Sequence, residues 1–429
     1  MDSFPRTRAC LQHTRRGFTL LELMVSLTVG GIAIASMYAI SAASTHQFHQ
    51  QQQIANAQTA LRAAMDQVKR DVARAGYLFT AIAKAPPGFV QHSCMDVGSP
   101  LDWPLSLGGD GSLAAFSFFD DDVQVTDGVN DALDPTRNNG PNGFTADDLV
   151  MFANYETADQ YGPISVIDSQ TIAVDQDGHN FQRDFTQWYQ GLPNFDAAAF
   201  DEAFALNRLI RIQTTGRMRH FATITGVDAP TSTSGVDSDV RIHFAPAIPP
   251  DCMAAAEQGW VAPVSAIRYF VQNATGEAAA RFPTATGPVA QLIRQEVRPD
   301  AKRTPLSYDP VTTKPSNTRE VLDYVVAFNL AFTMNAATSA GAPDNYVPGV
   351  VLGGDPTSIK TAVNANPERI RAVSIDLAVR TPEQDPKLPF GPTCANLGCF
   401  QVFTTSPGAA RVRHEHAEVF VPNVALEGY

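Results

Sequence analysis

Basic residues are in short supply along this chain: Lys and Arg number 31 against 44 Asp and Glu, a formal net charge of −13 over 429 residues. That deficit argues against a nucleic-acid-binding surface built on release of phosphate counterions. Also missing are the short motifs that carry catalysis. There is no G-x-S-x-G, no P-loop, no H-E-x-x-H, and no cysteine in a nucleophile setting. Paired C-x-x-C is absent as well, and no internal repeat is evident. The sequence therefore offers no catalytic set, and the reading is of a protein that is not an enzyme and needs no cofactor.

What is present is a globular composition, 44% hydrophobic and 17% charged, behind an unusual amino terminus. The length suits about two to three average domains. Thirty prolines and 29 glycines point to many turns and few long helices beyond the first. From Phe18 to Ile40 the only charged residue is Glu22. As a helix these residues cover about 34 Å, enough for a hydrocarbon core of roughly 30 Å. Residues 1–17 hold Arg6, Arg8, Arg15 and Arg16 against Asp2, a net of +3, so residues 18–429 carry −16. The positive-inside bias then places the amino terminus in the cytoplasm and the large carboxy-terminal part across the membrane. A secretory signal peptide, with Ser41-Ala42-Ala43 as the cleavage site, or a simple anchor would account for the apolar run, but neither explains an acid near its start.

An ionisable group in a bilayer costs roughly 2.5 to 3.5 kcal/mol in the worst positions, and such groups have partners. Cleavage between Gly17 and Phe18 would create a cation, the Phe18 α-amine, at the membrane depth of Glu22, in the same helix or in a neighbouring subunit. Basic residues, then Gly17, then Phe18-Thr19-Leu20-Leu21-Glu22, resemble the class III leader of type IV pilins and type II secretion pseudopilins, whose mature chain begins with Phe and has Glu as its fifth residue. The resemblance implies that a prepilin peptidase cuts after Gly17 and methylates Phe18. It also implies that Glu22 pairs with a neighbour's amine to set register during assembly. Where many pilins have a helix-kinking proline, this chain has Gly30-Gly31. Ser26/Gly30 and Gly31/Ala35 are small residues four apart, a weak signal for close helix contacts.

The helical pattern continues beyond the membrane. Ile54, Leu61, Met65, Val68, Val72 and Ala75 form an apolar stripe, Gly76 is a candidate C-cap, and Lys69, Arg70 and Arg74 stand near the helix end. The spacing predicts one helix from about Leu20 to Ala75, its second half docked on a head domain. After Tyr77 the periodicity becomes that of strands: Leu149–Tyr155, Arg208–Gln213, Val240–Phe244, Ala266–Gln272, Val325–Met334, Ala372–Arg380 and Ala417–Val421. In the sixth run Val373, Ile375, Leu377 and Val379 share one face, with Ser374, Asp376 and Arg380 outside or on the helix-distal side. Segments 120–148, 228–238 and 335–356 read as loops. The expected fold class is α+β: a long amino-terminal helix, membrane-spanning in its first half, packed on a large antiparallel sheet, pilin-like. The expected division is a leader at 1–17, a helix at 18–76 with its transmembrane part at 18–40, and a β-rich head at 77–429 with room for two sheets or inserted lobes.

Patches of the head, "NGPNGFTADDLVMFANY", "ERIRAVSIDLAVRT" and "HAEVFVPNVAL", are similar to PilW-type minor pilins. The resemblance implies a minor pilin that starts in the inner membrane and enters the pilus fibre or its tip at the cell surface. Its implied partners are prepilin peptidase, major and minor pilins, the inner-membrane assembly platform and a tip adhesin. A J-type pseudopilin of type II secretion is the alternative; a membrane-anchored binding head is a further one.

Cys10 belongs to the leader, leaving Cys94, Cys252, Cys394 and Cys399, an even number on the oxidising side of a membrane. Cys394 and Cys399 can close a small loop, which leaves Cys94 with Cys252; three pairings are formally open and zinc is the rival reading. Asp175 and Asp177, and Asp120, Asp121, Asp122, Asp127 and Asp131, supply oxygens of the kind calcium takes. They lack the full EF-hand spacing and read as solvated acidic loops. His414 and His416 share one strand face and read as surface histidines, with no metal site expected.

Overall fold

The computed structural model describes residues 19–78, 115–120, 146–157, 159–189, 192–215, 219–228, 239–274, 278, 280–282, 289–297, 318–334, 350–352, 363, 367–388, 399–400 and 408–425. The chain divides into two compact units, residues 1–56 and 57–429. Helix α1 (Leu20–Arg74) is 55 residues long and ends one residue short of the expected Ala75. In the first unit its side chains are exposed from Thr19 to Ile40, apart from a half-buried Gly30.

In the second unit the strands and short helices follow in the order β1 (Phe116–Asp120), β2 (Asp147–Ala153), β3 (Ile164–Asp168), β4 (Thr171–Val174), α2 (His179–Phe185), β5 (Thr186–Tyr189), β6 (Leu192–Phe195), α3 (Ala197–Ala203), β7 (Leu209–Gln213), β8 (Arg219–Asp228) and β9 (Val240–Ala245). They continue with α4 (Pro250–Ala256), β10 (Trp260–Asn273), β11 (Ala290–Val297), β12 (Thr318–Asp323), β13 (Val325–Met334), β14 (Val350–Leu352), β15 (Ile370–Arg380), β16 (Cys399–Phe400), β17 (Ala410–Phe420) and α5 (Pro422–Ala425). One sheet of ten strands runs β1-β2-β10-β7-β8-β9-β4-β3, with β11 on β10 and β12 on β11; a second of five runs β14-β13-β15-β17-β16; β5 and β6 form a separate hairpin.

The seven strand runs read from sequence are all strands, with boundaries moved by tertiary pairing. β10 begins at Trp260, six residues before the expected Ala266, because Trp260–Val264 pair with β7 while Ser265–Tyr269 pair with β2. Pro263 hides that extension, since proline normally signals the end of a strand. β17 begins at Ala410 in place of Ala417; its polar residues His414, His416 and Glu418 are exposed while β15 supplies the pairing. Segment 335–356, read as loop, contains β14, which pairs with β13 from Phe332 to Met334.

Among the described residues the second unit holds three hydrophobic clusters, two large and one small around Val326, Ala378 and Val412. In the first, Leu61, Ala64, Met65, Val68 and Val72 of α1 meet inward residues of β2, β10, β13 and β15, among them Val373, Ile375, Leu377 and Val379. Burial of each large side chain contributes about 1.5–3 kcal/mol relative to exposure. The second cluster is rich in aromatics, with Tyr161, Phe181, Phe185, Phe200 and Phe204 packed beside Ile212, Ile224 and Phe244. Of the two positions open to Arg380, outside or on the helix-distal face, the structure shows a buried one. Its guanidinium lies 5.2 Å from the Tyr324 ring centroid and donates to the Thr381 and Pro382 carbonyls, and burial pushes its pKa down to about 10.

The last turns of α1 are held by polar contacts as well. Asp71 sits on the buried stripe and accepts from Arg294 Nε at 2.6 Å and from Tyr269 Oη at 2.7 Å. Tyr155 Oη donates to the Asp71 carbonyl at 3.0 Å. Burial first, and then the Asp71 charge, push both phenols well above their ordinary value, so they remain donors. Arg74, read from sequence as a partner of the helix dipole, donates instead to the carbonyls of Asn154 at 2.9 Å and Thr157 at 3.1 Å. Gly76 takes a left-handed φ of 78°, as a C-cap requires, and its N–H bonds Phe152 O at 2.9 Å. Asn423 of α5 donates to Ala73 O at 3.2 Å.

A second ion set joins distant segments, with Arg208 and Glu296 buried and Glu156 partly open to solvent at its edge. Arg208 bonds Glu296 at 2.8 Å through Nε and at 2.7 Å through Nη2, and Nη2 also reaches Glu156 at 3.2 Å. Burial pushes the Glu156 carboxyl above its ordinary value, Arg208 opposing and Glu296 reinforcing the rise.

Two predictions follow from these contacts. Asp71→Ala leaves a half-buried Arg294 without its carboxylate and Tyr269 without its acceptor, so urea unfolding of the detergent-solubilised chain should show a loss of about 2–4 kcal/mol; an unchanged midpoint would remove Asp71 from the docking account. For Glu156 the folded state holds the proton more tightly than the unfolded chain. Its stabilisation is therefore complete below the ordinary value of 4.5 and is lost as pH rises through the elevated folded value. Glu156→Gln keeps the Arg208–Glu296 pair, so its stability relative to the parent chain should increase from about pH 4 to about pH 7 in unfolding titrations. A difference that is flat with pH contradicts the assignment.

Candidate functional site

The amino-terminal segment is the part of the chain that its own core leaves uncovered. Among the described residues α1 is the one helix long and apolar enough to cross a membrane, and none of its most apolar stretch is buried. Leu20 is 79% exposed and Tyr38 is 77% exposed. A helix suits lipid because its backbone groups are satisfied internally. Its hydroxyls follow the same rule: Ser26 donates to Glu22 O at 2.7 Å, Thr28 to Val25 O at 2.9 Å, and Ser36 to Ile32 O at 2.8 Å. The helix is unbroken through Gly30-Gly31, where an added Cβ would meet nothing within 4 Å.

Gly17 and Phe18 lie outside the described residues, which begin at Thr19. Thr19 caps the helix. Its Oγ1 accepts from Glu22 N at 3.2 Å, and its carbonyl accepts from Leu23 N at 3.1 Å. Thr19-x-x-Glu22 has the spacing of a capping box, which puts the Glu22 carboxylate in the first turn, at the positive end of the helix dipole. This role was missed in the sequence reading, although the Thr and Glu three apart ahead of an apolar run were its signal. Glu22 is exposed and forms no salt bridge among the described residues.

The other sequence candidates are not brought together. Asp177 N bonds Asp175 Oδ1 at 2.8 Å, a local turn before α2. Asp120 ends β1, while Asp121, Asp122, Asp127 and Asp131 lie outside the described residues. His416 Nδ1 is 2.8 Å from Asp376 Oδ1 on the neighbouring strand, and His414 lies two residues along the same face. Among the described residues no three His, Cys, Asp or Glu side chains are grouped to hold a metal. Cys252 and Cys399 are disulfide-bonded; Cys94 and Cys394 lie outside the described residues.

No curated protein matches this chain. Among solved structures, a type IV-like pilin from Thermus thermophilus aligns over 52% of this chain and 91% of its own, at 13% identity and a TM-score of 0.18, too low for a shared fold to be argued. The family model described as the prokaryotic N-terminal methylation motif matches residues 12–38. That span holds Gly17, Phe18, the Thr19 cap and Glu22, together with most of the exposed apolar helix. The amino terminus of this chain thus carries a prokaryotic N-terminal methylation motif.

Proposed function

We propose that this chain is a minor pilin of a type IV pilus. Prepilin peptidase cuts it after Gly17 and methylates Phe18. The mature chain waits in the inner membrane with its head in the periplasm, and it joins the fibre, at or near the tip, through its amino-terminal helix. The assembly platform and the other pilins are its partners; the role is structural and non-enzymatic. The observation that carries this reading is the methylation motif at residues 12–38 running directly into an uncovered apolar helix whose first turn holds one carboxylate.

The chemistry follows from solvation. A carboxylate in the membrane costs on the order of 2.5–3.5 kcal/mol at its worst. Cap and dipole offset part of that within the chain. A neighbour's Phe18 ammonium offsets more, and only in one axial register, so the contact that relieves the charge also aligns the subunits. In the oxidising periplasm we assign the two disulfides to Cys94–Cys252 and Cys394–Cys399, supported by the bonded state of Cys252 and Cys399. We also assign residues 77–429 to the head, and regard the acidic loops and His414/His416 as solvated surface with no cofactor.

Mass spectrometry of the membrane-extracted protein tests the processing step: loss of residues 1–17 plus one methyl on Phe18 is expected, and Gly17→Glu should leave the chain uncut. An intact chain beginning at Met1 in cells with an active peptidase contradicts the proposal. The assembly step is tested by Glu22→Gln beside Glu22→Val. Glutamine at the third helical position keeps the capping box but not the charge, and both variants should insert yet fall roughly tenfold or more in sheared fibres, given the cost of an unpaired charge mismatch. Normal incorporation of the Gln variant would reduce Glu22 to a helix cap. Finding the mature chain only in a secretion-system pseudopilus would favour the J-type pseudopilin instead.

A further inference from the structure

Asp71 and Arg208 are far apart in the chain, yet their contacts converge on the same short stretches. Arg294 bonds Asp71 and Glu296 bonds Arg208. These two residues are separated by one position on β11, so they project from the same side of that strand. Tyr155 donates to the Asp71 carbonyl, and the next residue, Glu156, pairs with Arg208. β10 also serves both sets: Tyr269 donates to Asp71, and Ser265 donates to Glu156 at 3.5 Å.

At its other end Arg208 reaches the aromatic cluster. Its Nη1 donates to Ala203 O at 2.6 Å and to Glu202 O, at the end of α3. α3 gives Phe200 and Ala203 to the aromatic cluster, whereas the docked stripe of α1 belongs to the first cluster. A polar route therefore runs from α3 through Arg208 to Glu296 and Glu156, and from their neighbours Arg294 and Tyr155 to Asp71. The charges along it have little access to water: the side chains of Arg208, Glu296 and Asp71 are 2%, 5% and 10% exposed. Buried charges move with their partners, because separation leaves each one unsolvated.

We propose that this run of contacts is a conformational strap, through which displacement of α3 and the aromatic cluster around it loosens the last turns of α1. Apolar contacts tolerate small independent shifts; paired charges in a connected network do not. The strap gives the head a means to pass an event at the aromatic cluster, contact with another molecule included, to the helix that the proposed assembly uses. The coupling itself does not depend on the pilin reading; only its use in assembly does.

Hydrogen exchange of the full-length chain in detergent micelles, followed by mass spectrometry on a peptide covering residues 68–74, tests the strap. Arg208→Lys keeps the charge but lacks the planar fork that holds two carboxylates and two carbonyls at once. It should raise the exchange rate of that peptide roughly tenfold, the size of coupling within one ion network. Arg183→Lys alters an exposed ion pair beside the same cluster and should leave the peptide within about twofold of the parent. In an Asp71→Asn background the effect of Arg208→Lys on residues 68–74 should shrink to about twofold or less, because the route is already cut. Faster exchange confined to residues 197–228, or effects of the two substitutions that multiply in full, would overturn the strap and leave the pilin reading intact. Where Arg208→Lys also strips protection from β13 and β15, the chain has failed to fold, and Glu296→Gln in the same cycle decides between those outcomes.

Discussion

A carboxylate placed on the buried stripe of a helix has to be met there, and that of Asp71 is met by Arg294 and Tyr269 from two separate strands, while Tyr155 bonds the same residue's backbone carbonyl. The arrangement sets the rotation and axial position of the second half of α1 in a way that hydrophobic contact alone does not. Leu61, Met65, Val68 and Val72 supply non-directional attraction and would tolerate a small slide. An ion pair with a further phenol donor does not, because a shift of an ångström or two would leave a buried charge short of partners. Arg74 and Gly76 then close the helix end against the strand that finishes at Ala153.

The same helix carries a second unusual carboxylate, and the two are solved differently. Asp71 is satisfied wholly within the chain. Glu22 has a threonine cap and the helix dipole, but no ion pair among the described residues. One acid completes a fold; the other is left in a state that a partner's cation would improve. That contrast gives physical content to a division of labour along one helix, with the uncovered part suited to other molecules and the docked part serving the head.

Much of this was legible beforehand. The extent of α1 was, because an apolar run without proline, a continuing apolar stripe and a glycine beyond it leave few alternatives in spite of Gly30-Gly31. So was β13, whose alternation survives over most of its ten residues, and the inward face of β15 at Val373, Ile375, Leu377 and Val379. The cluster around Phe181, Phe185, Phe200 and Phe204 was not: α2 and α3 are seven residues each, too short for a period of 3.6 to stand out from noise. The start of β10 was hidden by Pro263, and that of β17 by a run whose outward residues are polar.

The amino-terminal motif, the long apolar helix and the strand character of the head follow from residues within a few positions of one another, and so are written in local order. The fate of the polar residues is settled by long-range pairing. Asp71 meets Tyr269 and Arg294 across separations of 198 and 223 residues, and Arg380 is buried on a strand face whose pattern leaves open whether it meets solvent or protein. Local periodicity reports which side of an element is apolar. Whether a charge on either side finds its partner depends on which distant strand the fold brings to it.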